Sequence, residues 1–224
     1  MTLTLPTADD LVRLPIFPLP QATLFPGALL PLHVFEPRYR ELTRDVLADN
    51  HLLTIARLKP GFEPNYEGRP PVFEICGVGK VIEQHEHPDG RFDLTLSGIA
   101  RVRILSEHPP DRAYRAVRAA LVLDTPPDPA LVVALEAQIT SLWKKLGPHL
   151  PEAVRDLREL TREAADSGVY ADRLAATLVG DPEVSQRLLS EPDPAERLRL
   201  LVERLQELAD TLMPISARSG PRWN

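Results

Sequence analysis

A single cysteine, Cys76, stands among the 224 residues, so no internal disulfide can form and no cysteine-based zinc site can be built. A reducing compartment is therefore allowed. A basic leader is also missing: Asp9 and Asp10 precede the first basic residue, Arg13. No apolar run approaches the roughly 20 residues that a membrane helix requires. These absences predict a soluble, cytoplasmic protein that does not engage a membrane. Basic charge is not in excess, since the formal net charge is −6, and this gives nucleic acid no strong long-range attraction. No internal repeat is present. The length suffices for one large or two small domains with a core that needs no staples.

Proline, by contrast, is abundant, with 24 residues. Pro15, Pro18 and Pro31 sit inside the apolar runs 14–19 and 29–35, where each would remove a donor and clash with a preceding helical turn. Both runs therefore read as irregular strands of a small curved sheet or barrel, with Pro26-Gly27 as the turn between them. Pro37 suits a first helical position, and Tyr39, Leu42 and Val46 recur at helical spacing, so a helix follows. Residues 52–56 then read as a strand. The stretch 60–71 holds Pro60, Gly61, Pro64, Gly68, Pro70 and Pro71 and reads as a surface loop. Residues 73–84 and 91–96 form a hairpin closed by His87-Pro88-Asp89-Gly90. Alternation from Arg101 to Leu105 puts Val102 and Ile104 on one face and Arg101 and Arg103 on the other. A last strand covers 114–123, and the stiff segment 124–129 ends the β region.

Beyond it the chain turns to helix formers. Leu131, Leu135, Ile139 and Leu142 give one amphipathic helix, stopped by Gly147-Pro148. Val154, Leu157 and Leu160 give a second, and Leu174, Ala175, Leu178 and Val179 a third. Asp181-Pro182 opens a short fourth with Leu188 and Leu189. The last runs from 194 to 213, with Asp193 as N-cap and Leu198, Leu201, Leu205, Leu208 and Leu212 on one face. The tail 215–224 is expected to be loosely held.

Two stretches carry a resemblance. The first is the order Leu14-Pro15-Ile16-Phe17-Pro18-Leu19, then Leu24-Phe25-Pro26-Gly27, then Leu30-Pro31-Leu32-His33-Val34-Phe35-Glu36-Pro37-Arg38-Tyr39. The second is Ser97-Gly98-Ile99-Ala100-Arg101-Val102-Arg103-Ile104. Together they resemble the N-terminal, substrate-binding domain of Lon proteases, most closely its stand-alone bacterial forms. Cys76-Gly77-Val78-Gly79 departs from that family's usual Gly-Thr-x-Ala. The resemblance implies an α+β fold, a PUA-like six-stranded pseudo-β-barrel with one inserted helix in residues 1–126, followed by a helical bundle in 127–224. It also implies a non-catalytic module that holds unfolded or extended polypeptide, with a separate protease as a further candidate partner.

Full-length Lon proteases add an ATPase and a peptidase, and the sequence offers neither. Gly79-Lys80 has Glu74 where a phosphate loop needs glycine and Val81 where it needs Ser or Thr. The Ser-Ala-Gly nucleophile context of the peptidase does not occur. Ser141-Leu142-Trp143-Lys144 has a Ser-x-x-Lys spacing without its companion elements and reads as helix surface. No enzyme and no cofactor are expected. Glu83, His85 and His87 could share one strand face and offer three metal ligands, but a polar hairpin end is the expected reading and no metal is assigned. His33, His51, His108 and His149 have no neighbour in sequence that would make a triad.

The candidate polypeptide site is Phe25, Phe35, Arg38 and Tyr39, at the first turn of the helix opened by Pro37. Orphan N–H groups there attract a carbonyl or carboxylate, and the Phe25 turn would supply an apolar wall. The competing arrangement packs Tyr39 into the barrel and leaves Glu36 at the helix end. Each aromatic here, like Phe17 and Phe73, is expected in the core when taken singly. The alternative function is a PUA-like RNA-binding module using Arg101, Arg103, Arg115 and Arg118, with Arg112 nearby. Glu107 and Asp111 interrupt that run, and no aromatic series alternates with it for base stacking.

Overall fold

Each proline of the opening strands sits where it costs least. In the computed structural model, which describes residues 4–148, 164 and 166–212, strand β1 (Leu14–Leu19) pairs on both sides but in staggered halves. Residues Leu14 to Ile16 pair with β6 (Arg115–Val122), and Ile16 to Leu19 pair with β3 (Leu52–Arg57). Pro15 therefore has a neighbour on β6 only and Pro18 on β3 only, so neither removes a donor from a fully paired position. Pro31 lies on β2 (Leu29–Val34), which pairs with a single strand, β5 (Phe92–Glu107).

The remaining elements are α1 (Pro37–Ala48), between β2 and β3, and β4 (Ile75–Glu86). The six strands run in the order β2-β5-β4-β3-β1-β6, and a further β5–β6 pairing brings the sheet round on itself. β1 and β3 are parallel and the other pairs antiparallel, so the sheet is mixed and the fold α+β. Curvature comes from the 16-residue β5, whose first part pairs with β2 and whose second part pairs with β6. Register shifts at Val78/Gly79, Val81/Glu83 and Ile104/Ser106 add to it, as bulges bend and twist the strand that holds them.

The Gly-containing strand stretches are explained by a close approach. The backbone of Leu24 and Phe25 lies against β4 and β5 so tightly that a Cβ at Gly77 would overlap the Leu24 carbonyl, and one at Gly98 the Phe25 carbonyl. Gly27 N–H donates to Gly98 O at 2.9 Å and Gly98 N–H to Ala28 O at 2.8 Å. This support lets β5 run unbroken through Gly98 and join the hairpin arm 91–96 to the alternating segment 101–105.

Two core clusters result. Phe17, Leu24, Leu53, Ile55, Leu94 and Leu96 gather with Tyr39, Leu42 and Val46 from the inner face of α1. Leu14, Ile16, Cys76, Val78, Val102 and Val117 form the second. Each fully buried side chain of this size contributes about 1.5–3 kcal/mol.

The later helices are α2 (Pro129–Leu146), α3 (Ser167–Leu178), α4 (Pro182–Ser190) and α5 (Pro194–Leu212). Asp128 caps α2 by accepting from Ala130 N–H at 2.9 Å, and Asp181 caps α4 in the same way from Glu183 at 2.8 Å. The expected helix around Val154, Leu157 and Leu160, the tail 215–224 and His149 lie outside the described residues.

The chain divides into two compact units, Met1–Asp124 with Ala175–Pro192, and Thr125–Leu174 with Asp193–Asn224. The first unit thus takes back a segment that the sequence predicts within the helical half. Polar contacts that run through the sheet explain it. Gln186 Nε2 donates to Ile75 O at 2.9 Å, Arg101 Nε donates to Leu189 O at 2.9 Å, and Arg57 pairs with Glu183. In the second unit α2 packs on α5, and Arg197, 0% exposed, pairs with Asp172, 2% exposed, at 3.3 Å.

Candidate functional site

The first turn of α1 carries no side-chain cap of its own. Glu36 stands at the N-cap position, but its carboxylate turns aside and accepts from Tyr66 Oη at 2.9 Å and Arg38 Nε at 3.0 Å. This draws the loop 66–70 over the helix start. From the other side the segment before β6 is tied to α1 by Tyr114 Oη, which donates to Asp45 at 2.7 Å. Between these segments lies a pocket of ≈ 170 Å³ within the first unit, with Arg38, Tyr39, Tyr66, Pro70, Arg112 and Tyr114 among its lining residues.

Its chemistry is aromatic and cationic at once. The Arg38 guanidinium lies over the Tyr39 ring at 4.6 Å and the Tyr66 ring at 5.2 Å, an arrangement worth about 0.5–2 kcal/mol per contact. It also donates to the carbonyls of Tyr66 and Glu67, each at 3.4 Å. Arg69 and Arg115 line the pocket and share the Glu107 carboxylate, and Arg115 Nη1 donates to Pro70 O at 2.8 Å. Arg112 pairs with Asp45 at 3.4 Å and remains half exposed. The guanidinium groups are therefore positioned by carboxylates: the nitrogens of Arg38 and Arg115 are all engaged within the chain, while Arg69 and Arg112 are the more exposed of the four. Burial pushes the Tyr114 phenol up to about 12, with Asp45 adding to the shift, and burial likewise raises Tyr39 and Tyr66. All three tyrosines stay neutral and offer rings and hydroxyls, with no base among them.

The sequence-predicted polypeptide-site residues separate. Arg38 and Tyr39 meet in the pocket, with the Tyr39 side chain 4% exposed and its ring 4.2 Å from that of Phe17. Phe25 is only 2% exposed, so it supplies core and no wall: the turn that carries it folds down onto Gly98. Phe35 is 60% exposed but lies at the end of β2, 6.2 Å from the His33 ring, away from the pocket lining. Tyr66, Arg69 and Tyr114 line the pocket unannounced by the sequence, where their one signal is aromatic and cationic residues in Pro-rich loops, and Arg112, noted there only beside the RNA alternative, joins them.

The arginines of the RNA alternative do not share a surface. Arg101, 3% exposed, is bonded to Leu189 O and Asp124, and Arg115 is buried against Glu107. The alternation of the strand holds, since Arg103 is half exposed beside Glu74, but α4 covers the face on which Arg101 lies. Arg118 is exposed on β6.

Other residues singled out in the sequence fall as follows. Gly79-Lys80 lies within β4, paired with Gly98 and Ser97 of β5, and is no turn before a helix. Ser141 and Lys144 are exposed on α2. Burial pushes the Cys76 thiol up to about 12, which leaves it unreactive. His33 is not isolated: its Nδ1 lies 2.6 Å from Asp93, which also meets His87 Nε2 at 2.7 Å. The histidines of the hairpin end thus gather differently from the Glu83, His85 and His87 grouping weighed in the sequence: the atoms that come together are those of His33, His87 and Asp93, because antiparallel register brings β2 and β5 together. Among the described residues no helix is long and apolar enough to cross a membrane.

Comparison with known proteins bears on this geometry. A family model described as the ATP-dependent protease La (LON) substrate-binding domain matches residues 13–207. Lon protease 2 of Myxococcus xanthus is 26% identical over 200 residues, covering 89% of this chain and 24% of the relative. Lon protease of Roseiflexus castenholzii is 30% identical over 222 residues, covering 95% of this chain and 26% of the relative. The chain thus spans about a quarter of the length of the curated relatives it matches. Among solved structures, the N-terminal domain of a Mycobacterium avium complex Lon protease superposes with TM-score 0.65 at 20% identity, covering 87% of this chain and 98% of that one. A Lon N-terminal domain protein from Xanthomonas campestris gives TM-score 0.57 at 24% identity, covering 85% and 97%. At these identities the structures speak for the fold.

Proposed function

This chain belongs to the LON substrate-binding domain family, and from that premise we propose that it recognises unfolded or extended polypeptide without performing chemistry on it. The observation that carries the reading is the pocket where α1, the loop 66–70 and the segment before β6 converge. A client side chain, aliphatic or aromatic, enters against Tyr39, Tyr66 and Tyr114, and its flanking backbone carbonyls accept from Arg69 and Arg112. A space of ≈ 170 Å³ is smaller than the roughly 300–1,000 Å³ of small-molecule sites. It suits one side chain of a polymer, held by weak and sequence-tolerant contacts. The sheet closed through β5 and β6 is read as a PUA-like pseudo-barrel, with a boundary near residue 126 and a helical bundle beyond it. The matched relatives are proteases, so the partner inferred is a protease of that kind in the cytoplasm.

The test is binding of a fluorescein-labelled, chemically unfolded model protein, followed by anisotropy. Changing Arg38→Ala together with Tyr66→Ala removes one client contact and the guanidinium that positions the Tyr39 and Tyr66 rings, and with a loss of about 2 kcal/mol in all is expected to weaken binding by about tenfold or more. Arg112→Ala, a half-exposed position, is expected to weaken it less while leaving the melting temperature unchanged. Full binding by both variants would move the polypeptide site elsewhere. The pure chain is expected to hydrolyse neither ATP nor peptide.

A further inference from the structure

Strands β2, β5 and β4 lie side by side, and their registers set His33 opposite Asp93 and Asp93 opposite His85. Residues directly opposite across antiparallel strands share one face, so a row of the outer face reads His-Asp-His. His87 follows two positions after His85, at the hairpin turn. The Asp93 carboxylate already holds two imidazoles: Oδ1 is 2.6 Å from His33 Nδ1 and Oδ2 is 2.7 Å from His87 Nε2. The His85 ring stands edge-on to that of His87, with centroids 4.7 Å apart, which restricts how His87 can turn.

We propose that His33, Asp93 and His87 form a binding site for a divalent ion of the zinc class. One donor atom from each lies within 4.8 Å of the others. Bonds of about 2.0 Å to a tetrahedral ion call for donors about 3.3 Å apart, a difference that small rotations of exposed side chains on fixed strands close. Two imidazoles and one carboxylate match the nitrogen and oxygen preference of Zn²⁺, and of Co²⁺ or Ni²⁺ by the same donor logic. Ca²⁺ and Mg²⁺ prefer all-oxygen sets. Three protein ligands leave a fourth position for water. An ionised carboxylate only accepts, so the ring nitrogens facing Asp93 carry protons; to ligate the ion there, a neutral ring moves that proton to its other nitrogen and an imidazolium gives one to solvent. Binding therefore competes with protons and weakens as pH falls. Because the ligands come from β2 and from both sides of the β4–β5 turn, the ion ties the edge strand to the hairpin.

The experiment uses the full chain without an affinity tag, stripped with a chelator and titrated calorimetrically with ZnCl₂ at neutral and at lower pH. One zinc per chain, with a raised melting temperature and an affinity that falls at lower pH, is expected. His33→Ala, His87→Ala and Asp93→Ala are each expected to lower affinity by about a hundredfold or more, since groups that merely orient ligands are already worth about 10–100-fold. His108→Ala, which replaces a histidine outside the cluster, should leave affinity unchanged. These ligand side chains are exposed or half-buried, so the metal-free variants should melt with the parent. No zinc bound by the parent chain, or equal binding by all three ligand variants, would overturn the proposal.

Discussion

At Arg38 one guanidinium meets two tyrosine rings, the Glu36 carboxylate and two backbone carbonyls, so its stem is fixed before any ligand arrives. A preorganised group loses less entropy on binding, which favours the rings that Arg38 holds over exposed Phe35 as a surface for polypeptide. Phe25 is the contrary case. Its ring is buried, so Phe25→Ala reports on the core, and truncation of a buried aromatic costs about 3–5 kcal/mol. Urea denaturation should show a loss of that size, while a loss under about 1 kcal/mol would mean that the turn bearing Phe25 repacks freely. Arg38 and Tyr39 are legible in the sequence because Pro37 marks a helix start and the spacing to Leu42 and Val46 marks its buried face. Tyr66 and Tyr114 are not, because the contacts that bring them to the helix span 30 and 69 positions and no local pattern encodes them.

Among the elements, strands were the more readable where proline and glycine restrict the backbone, and the helices where one face is apolar. The six strands and the helix inserted after the second follow the sequence closely. What pattern alone does not reveal is that α4 belongs with the sheet, because the groups that bind it, Arg101, Gln186 and the Ile75 carbonyl, are polar. Hydropathy assigns such groups to the surface. The same blindness hides the link between α3 and α5, where Asp172 and Arg197 form a buried pair. Their mutual attraction largely offsets the cost of removing both charges from water, so breaking one side is more harmful than the pair is helpful. Asp172→Asn keeps the shape and removes a negative charge from beside the buried guanidinium. It is expected to destabilise by about 3–5 kcal/mol, read as a lower urea midpoint. Replacing both residues with methionine should recover much of that loss, and a double variant no better than Asp172→Asn would show that the pair contributes more than charge balance.

Across the molecule, acid is the condition that tests how the charges hold it together. Asp10, Asp93, Glu107 and Asp111, all in the first unit, have carboxyls held below the ordinary range. Glu107 matters most to the site: burial pushes its carboxyl up, but hydrogen bonds and charge from Arg115 and Arg69 outweigh burial and bring it down. The sequence shows this glutamate only as an interruption in a basic run, since one partner lies 38 positions away in a loop. With a folded pKa below the unfolded value near 4.5, the unfolded chain binds the proton first as pH falls, so stability is present above that value and lost through the folded pKa beneath it. Loss of the Glu107 charge also removes the ion pair with Arg69, one of the ties on the loop 66–70 that walls the pocket. Urea midpoints measured from about pH 6 down to about pH 3 should therefore fall, and binding of unfolded polypeptide should fall with them. Glu107→Gln is expected to be less stable than the parent near neutrality and to lose less on acidification, so that the two curves converge. A variant curve that runs parallel to the parent throughout would assign the acid sensitivity to the exposed aspartates and leave the pocket out of it.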